Sequence, residues 1–216
     1  MTIYKDFKEA LGSIEANLRD NGDKVGNTTE LVGLNYTVIY PRLEDLSPHQ
    51  PWANIEFEDR ISFEPRNPGN SWKELPDVWE PMMEESKSPG NIKAFSYTYA
   101  ERMAYHLGEV LAELRRDSTS RQAYLAIWNP AVDVFRLGYR RVPCTLGYQF
   151  FIRDNFLQLH YLQRSSNFLR HFQDDLYLAL KLQHWVADQV GIKPSSFSHW
   201  IGSLHIFTGG GYKHEQ

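Results

Sequence analysis

The sequence predicts an α+β fold in which helices pack against a large β-sheet, and three segments predict it. Residues 148–162 form two apolar runs separated by a polar turn, which is the pattern of a β-hairpin. Residues 99–116 and 167–190 carry apolar side chains at the three- and four-residue spacing of core-facing helices. Helices and strands of this kind in one chain predict an α+β protein.

Length and composition limit the class of protein. A chain of 216 residues is long enough to bury a sizeable core, and we expect a single domain over residues 1–216. The net charge of −4 argues against broad binding to nucleic acid. The single cysteine excludes an intrachain disulfide and multi-cysteine metal sites, and no metal site is expected. Because no long apolar span or signal-peptide pattern occurs, we expect a cytoplasmic protein without membrane contact.

The N-terminal third contains three predicted elements. Apolar residues at helical spacing predict a helix over residues 3–18, and residues 30–40 are typical of a strand. Between them, residues 21–29 form a polar, glycine-containing loop with one cation, Lys24. Such a loop is either a solvated connector or a segment that closes over a phosphate.

The segment 41–92 shows no clean periodicity. Its carboxylate cluster, residues 56–62, is by pattern a solvated surface, and the aromatic residues between 50 and 100 are interpreted as core. Turns are expected at residues 68–70 and 88–91, where proline and glycine are adjacent. A strand at residues 122–128 follows the helix predicted over residues 99–116.

The hairpin carries the chemistry that stands out most. Cys144 directly follows a proline before the first strand, and Arg164 lies about twenty residues later in Gln163-Arg164-Ser165, a group suited to an anion. A hairpin could set the thiol and the guanidinium close together on one sheet face. Without that context, a lone cysteine in a strand is a small buried hydrophobic residue.

The last part of the chain adds two carboxylates and two histidines. Asp174 and Asp175 lie on the mainly apolar helix, and we expect one to face solvent and the other a polar cavity, because an unpaired buried carboxylate is costly. His184 and His199 are interpreted as packing residues. Residues 198–207 predict a final strand, and residues 209–212 a flexible tail.

Several short motifs occur in one order along most of the chain, and together they resemble those of the thymidylate synthase superfamily. They are Ser120-Arg121, Trp128-Asn129, Pro143-Cys144, Gln149-Phe150 with Arg153-Asp154, and Gln163-Arg164-Ser165. The resemblance implies the fold of that family, a large mixed β-sheet flanked by helices.

Asp175 stands where thymidylate synthases have an asparagine, ten residues after Ser165. An amide matches uracil, whereas a carboxyl group accepts from the amino group of cytosine and shares a proton with its ring nitrogen. At this position the chain resembles phage deoxycytidylate hydroxymethylases. Further motifs similar to that group are Asp23-Lys24, Glu56-Phe57-Glu58 with Ser62, Phe172 with Asp175, and Gly202-Ser203-Leu204-His205.

This resemblance implies transfer of a one-carbon unit from 5,10-methylenetetrahydrofolate, as co-substrate, to carbon 5 of a pyrimidine nucleoside monophosphate. Cys144 is the implied nucleophile at carbon 6, Glu56 orders or deprotonates a water, and Asp175 reads the base. The implied product is 5-hydroxymethyl-dCMP. Methyl transfer, as in thymidylate synthases, and a non-catalytic nucleotide-binding relative are the alternatives. The resemblance also reverses the solvated-surface interpretation of Glu56 and of the Lys24 loop.

The resemblance assigns the binding residues as well. The 5′-phosphate is held by Lys24, Arg164 and Ser165, together with Arg121 from a second subunit, so a homodimer is expected. Contacts to the base and sugar are implied for Gln163 and His205, and a contact to the pterin for Asn167. The chain departs from the family pattern at five positions, which are Gln122, Asn167 and His171 in place of arginine, aspartate and glycine, and Phe95 and Phe207 in place of tyrosines.

Overall fold

A computed structural model describes residues 1–85, 93–134 and 141–208, so the predicted turn at residues 88–91 and the tail at 209–212 lie outside the described residues. The helices are α1 (Phe7–Asn21), α2 (Trp52–Ile61), α3 (Pro76–Trp79), α4 (Tyr99–Met103), α5 (Leu107–Arg116), α6 (Pro130–Asp133) and α7 (Phe172–Val190). The strands are β1 (Thr2–Tyr4), β2 (Asp23–Val25), β3 (Thr28–Val38), β4 (Glu84–Glu85), β5 (Lys93–Ala94), β6 (Tyr124–Ala126), β7 (Thr145–Arg153), β8 (Phe156–Asn167) and β9 (Lys193–Phe207).

One large mixed sheet organises the molecule. Its strand order is β1-β3-β9-β8-β7-β6, with β2 beside β3, while β4 and β5 form a separate two-stranded sheet. The pairs β1–β3 and β8–β9 are parallel, and the other pairs of the large sheet are antiparallel. Helices α1 and α7 pack against this sheet. The predicted α+β class, with a mixed sheet flanked by helices, is confirmed.

The core lies between the helices and one face of the sheet. Alternate strand residues such as Tyr36, Tyr148 and Phe197 are fully buried, as period-two alternation requires for a half-covered sheet. The opposite face carries more exposed residues, among them Trp200, which is 40% exposed. In the described part of the chain, no helix has the length and apolar character needed to cross a membrane.

The start of α1 differs from the prediction, because residues 2–4 form a parallel strand with β3. The Asp6 side chain accepts a hydrogen bond from the Glu9 backbone N–H and fixes the first helical residue at Phe7. The polar loop predicted at residues 21–29 is mostly β-structure, since β2 pairs antiparallel with β3. Lys24 therefore lies on a short exposed strand.

Two other predicted helices have different bounds. The helix predicted over residues 99–116 is two helices, α4 and α5, although Ala104 and His106 between them keep helical backbone angles. The apolar stripe therefore stays in register and is buried. Helix α7 begins at Phe172 and not at residue 167, because β8 continues to Asn167, which pairs with His205.

The segment without periodicity contains a ten-residue helix, α2. Its buried face includes the charged residues Asp59 and Arg60, so the apolar residues of the sequence do not recur at helical spacing there. The turn predicted at residues 68–70 is present. Gly69 there has a φ of +75°, and a Cβ on it would lie 2.7 Å from the Asp59 Oδ2. Asp59 accepts from the Asn70 backbone N–H at 2.7 Å and thus ties this turn to α2.

His199 is a packing residue, as predicted. It is fully buried on β9, stacks on Tyr161 with ring centroids 4.7 Å apart, and its Nδ1 lies 3.0 Å from the Tyr36 hydroxyl oxygen. No partner for its Nε2 is found among the described residues. Burial lowers the pKa of His199 to about 3, so the ring is neutral in the folded protein.

A neutral buried histidine should make the protein less stable in acid. The His199 ring is protonated near pH 6.5 in the unfolded chain and near pH 3 in the folded chain. The free energy of unfolding is therefore unaffected by protonation of this histidine above pH 6.5, and it falls as the pH falls from 6.5 to about 3. We expect urea denaturation to show a free energy of unfolding that falls by up to about 1.4 kcal/mol per pH unit more in wild type than in His199→Gln. The exposed-site control His106→Gln should keep the wild-type slope, and equal slopes in all three proteins would contradict the assignment.

Candidate active site

The hairpin of β7 and β8 places the thiol beside the arginine, as the sequence predicts. Thr145 pairs with Gln163, and the backbone N–H of Arg164 donates to the Cys144 carbonyl oxygen at 2.6 Å. The register of the two strands shifts between Thr145 and Gly147, immediately after the cysteine. Such irregularities re-aim side chains next to functional sites.

A cavity of about 650 Å³ opens in front of this thiol. Seven of the residues that the sequence analysis assigned to the site line it. They are Cys144, Glu56, Asp175, Arg164, Ser165, Asn167 and His205. The cavity thus joins residues from α2, the β7–β8 hairpin, α7 and β9, which are far apart in the sequence.

The groups around the Cys144 thiol shift its pKa in opposite directions. Burial raises the pKa of Cys144 above its ordinary value, and the negative charge of Asp175 adds to this effect. The guanidinium groups of Arg164 and Arg141 and a hydrogen bond with Ser165 act in the opposite direction without outweighing it. The thiol of the free protein is therefore largely protonated at neutral pH.

Asp175 faces the cavity with one carboxylate oxygen already fixed. Its Oδ2 accepts from Gln163 Nε2 at 2.5 Å and from the Ser166 hydroxyl at 3.0 Å. Burial raises the pKa of Asp175, although the charge of His171 and the two hydrogen bonds partly oppose the rise. No bond to Oδ1 is found among the described residues, so this oxygen remains available to a ligand in the cavity.

The expectation that one of the two neighbouring aspartates faces solvent is wrong. Asp174 is 2% exposed, and both its oxygens are bonded. Oδ1 accepts from the His49 backbone N–H at 2.7 Å, while Oδ2 lies 2.9 Å from His49 Nδ1 and 3.2 Å from His171 Nδ1. Burial acts to raise the pKa of Asp174, but these hydrogen bonds outweigh it and lower the pKa. The carboxylate tolerates burial because it has partners.

Glu56 is held from both sides on α2. Its Oε1 accepts from Arg60 Nε at 2.8 Å and its Oε2 from the Ser71 hydroxyl at 2.7 Å. Arg60 is only 7% exposed, and its guanidinium lies 4.0 Å from the centre of the Tyr99 ring. The interpretation of residues 56–62 as solvated surface is therefore wrong for Glu56, whereas Glu58 is exposed.

Three arginines of the cavity were not predicted from the sequence, namely Arg60, Arg66 and Arg141. Arg60 could have been found from its i,i+4 spacing to Glu56, which places both on one helix face. Arg141 gives no comparable signal, because its contacts are with distant aromatic residues. Its guanidinium lies 5.3 Å from the Trp79 ring and 5.5 Å from the Tyr97 ring.

The aromatic residues between 50 and 100 are not all core. Trp52, Trp72 and Trp79 line the cavity, and Trp52 stacks on Trp79 with ring centroids 5.5 Å apart. The indole Nε1 of each of the three is buried, and none has a hydrogen-bond partner in the described part of the chain. Three buried N–H donors next to the cavity therefore have no partner among the described residues.

Three assigned residues do not line the main cavity. Gln163 is fully buried beneath it and acts through Asp175. Lys24 is exposed on β2, next to the part of β3 that pairs with the end of β9. Arg121 lines a separate cavity of about 380 Å³ together with Arg153. Within one chain, the structure therefore does not bring Arg121 to the thiol.

Known proteins similar to this chain are thymidylate synthases by name or by family. The family model described as thymidylate synthase matches residues 67–212. A Methanosarcina barkeri protein with the name "Putative thymidylate synthase" is 32% identical over 157 residues, which are 70% of this chain and 68% of that protein. The thymidylate synthase of Mycoplasma pneumoniae is 32% identical over 102 residues, which are 47% of this chain and 34% of that protein.

Solved structures show the same fold. Thymidylate synthase from T4 phage superposes with a TM-score of 0.70 at 18% identity, over 94% of this chain and 77% of that one. Thermostable thymidylate synthase A from Bacillus subtilis gives 0.66 at 16% identity, over 94% and 80% of the two chains. At these identities the likeness concerns the fold alone.

The pKa of the Cys144 thiol can be measured by alkylation, because this is the only cysteine in the chain that can react with iodoacetamide. We expect the rate to keep rising above pH 9, the ordinary pKa of a thiol. Asp175→Asn removes a charge that raises this pKa and should shift the profile down by about half a pH unit or more. Asp77→Asn, an exposed acid outside the cavity, serves as control, and an unshifted Asp175→Asn profile would show that the carboxylate does not act on the thiol.

Proposed function

Since the chain belongs to the thymidylate synthase family, we propose that it is a one-carbon transferase acting at carbon 5 of a pyrimidine nucleoside monophosphate. The proposed substrate is dCMP, the co-substrate is 5,10-methylenetetrahydrofolate, and the product is 5-hydroxymethyl-dCMP. The observation that carries the proposal is that the Cys144 thiol and the Asp175 carboxylate face the same cavity. A nucleophile and a base-reading group must meet over one ring for this chemistry.

Cys144 is the proposed nucleophile. Its thiolate adds to carbon 6 of the pyrimidine, and the electrons displaced from the 5,6 double bond make carbon 5 nucleophilic. The pKa of the thiol is raised by burial, so the cations Arg164 and Arg141 are needed to favour the thiolate as it forms. Arg164 and Ser165 also bind the 5′-phosphate in this proposal, which keeps carbon 6 next to the sulfur.

Asp175 is the proposed reader of the base. Gln163 and Ser166 occupy Oδ2, so Oδ1 is the oxygen that accepts from the amino group of cytosine and shares a proton with the ring nitrogen. The raised pKa of Asp175 supports this role, because a carboxyl group that is easily protonated can share that proton. Uracil would place its carbonyl oxygen against an acceptor, and such mismatches discriminate strongly.

Glu56 is proposed to order or deprotonate the water molecule that adds to form the hydroxymethyl group. Arg60 and Ser71 fix its two oxygens, which still have lone pairs that can order a water molecule. Carbon 5 forms a bond to the one-carbon unit, which the folate supplies at the oxidation level of formaldehyde, and loses its proton. Departure of tetrahydrofolate leaves an exocyclic methylene, and addition of the water to it expels the Cys144 thiolate from carbon 6. Asn167 lines the same cavity, and its amide is the proposed contact to the pterin.

We further propose a homodimer through the outer face of the sheet. Trp200 is 40% exposed there, next to Leu162 on the neighbouring strand. Arg121 lies outside the main cavity of its own chain, which supports its contribution to the phosphate site of a partner. His205 and Lys24 complete the proposed sugar and phosphate contacts near the end of β9.

Methyl transfer is the second candidate, and the names of the relatives favour it. Product analysis separates the two candidates. Protein incubated with methylenetetrahydrofolate and dCMP carrying tritium at carbon 5 should release tritium to water, and the product mass should correspond to a hydroxymethyl group. A methyl product would favour the second candidate, and binding without tritium release a non-catalytic relative. Cys144→Ser is the control and should reduce release by at least about a thousandfold.

The base preference should change when Asp175 is replaced by asparagine. The amide donates to a carbonyl of uracil and accepts from its ring N–H, so the ratio of kcat/KM for dCMP to that for dUMP should fall by at least about a hundredfold. Asp77→Asn is the matched control at an exposed site. An unchanged ratio would mean that Asp175 does not read the base.

A further inference from the structure

A cluster of two histidines and one carboxylate lies at the wall of the cavity, outside the residues assigned above. His49, His171 and Asp174 each place one donor atom within 4.8 Å of the others. The Nδ1 atoms of both histidines lie against the same oxygen, Asp174 Oδ2, at 2.9 and 3.2 Å. His171 and Asp174 line the cavity.

The surroundings hold these side chains in place. Asp174 Oδ1 accepts the His49 backbone N–H, which fixes the carboxylate plane, and Gln173 Oε1 accepts the Ser47 backbone N–H at 2.9 Å. The loop that carries His49 is therefore tied to the first turn of α7 at two points. The His171 ring packs on Trp79 with centroids 5.8 Å apart. Hydrogen bonds and packing of this kind orient the ligands of protein metal sites.

We propose that this cluster binds a divalent transition metal of the Zn²⁺ type through His49, His171 and Asp174. Two imidazole nitrogens and one carboxylate oxygen form a ligand set that suits this ion. Bond lengths of about 2.0–2.1 Å place tetrahedral donor atoms about 3.3 Å apart. The two observed nitrogen–oxygen distances of 2.9 and 3.2 Å are close to that value.

Binding requires a change of tautomer at each ring and a small rotation of the rings, so that both nitrogens and the oxygen point at one ion. In the metal-free protein each Nδ1 carries the hydrogen that it donates to Asp174. In the bound state that hydrogen lies on Nε2, and the Nδ1 lone pair faces the ion, so a neutral imidazole is the ligand in each case.

The fourth coordination position faces the cavity, because Asp174 and His171 line it. A water molecule or a donor atom of a bound ligand would occupy this position, as in metal sites with three protein ligands. The metal would lie at the end of the cavity next to Trp79, against which His171 packs. The inference concerns binding alone and does not depend on the reaction proposed above.

The alternative is that the cluster binds no metal and only anchors the His49 loop to α7 by hydrogen bonds. Titration of the protein with Zn²⁺ distinguishes the two possibilities. The test uses the Cys144→Ser protein, because a cysteine thiolate in the cavity would compete for zinc, and this protein is freed of metal with EDTA and dialysed. We expect calorimetry to detect one Zn²⁺ per chain. The affinity should weaken at least about tenfold when His49→Ala or His171→Ala is added.

His106→Ala, which removes an exposed histidine elsewhere on the surface, is the matched control and should leave the affinity unchanged. Circular dichroism establishes that each variant is folded, and His49, being half exposed, can be removed with little loss of packing. Co²⁺ should show the visible absorption of a tetrahedral site in the parent protein and lose it in both histidine variants. Absence of Zn²⁺ binding, or binding unaffected by both histidine variants, would overturn the proposal. Substrate turnover is not measured, so this outcome is separate from that of the proposed function.

Discussion

The pairing of β7 with β8 is the constraint on which the rest of the site depends. The bond from the Arg164 backbone N–H to the Cys144 carbonyl oxygen joins the two functional segments by main-chain geometry. The parallel pairing of β8 with β9 then brings His205 beside Asn167. A shift of one residue in β8 would turn every side chain to the other face, so the register decides which residues reach the cavity.

Buried charge is the second feature of the site, and each charged group that the helices bring there has a partner. Glu56 pairs with Arg60, and Asp175 accepts from Gln163 and Ser166. Removing one partner would leave a buried charge unpaired, which costs several kcal/mol. These groups therefore cannot move freely, and the same bonds that offset desolvation also orient the carboxylates towards the cavity.

Four of the five positions that depart from the family pattern line the cavity, namely Phe95, Asn167, His171 and Phe207. His171 stands where a glycine is expected, and its ring contacts Trp79 and the Asp174 carboxylate. Asn167, also a departure, lines the same cavity. Arg164 lies near the Cys144 thiol as the sequence predicted, whereas the hydrogen bonds of Asp175 with Gln163 and Ser166 were not predicted.

The sequence by itself determined the α+β class, the hairpin and the approach of Cys144 to Arg164, because alternation and turn chemistry are local properties. It also indicated Asp175, through its spacing from Ser165. Only the tertiary structure decided that Asp174 is buried, since its partners come from a loop about 125 residues away. Arg60 is an intermediate case, because its i,i+4 pair with Glu56 is a local signal, whereas its contact with the Tyr99 ring comes from a distant segment. Burial of a charge depends on partners from distant segments, and no local pattern records which segments will meet.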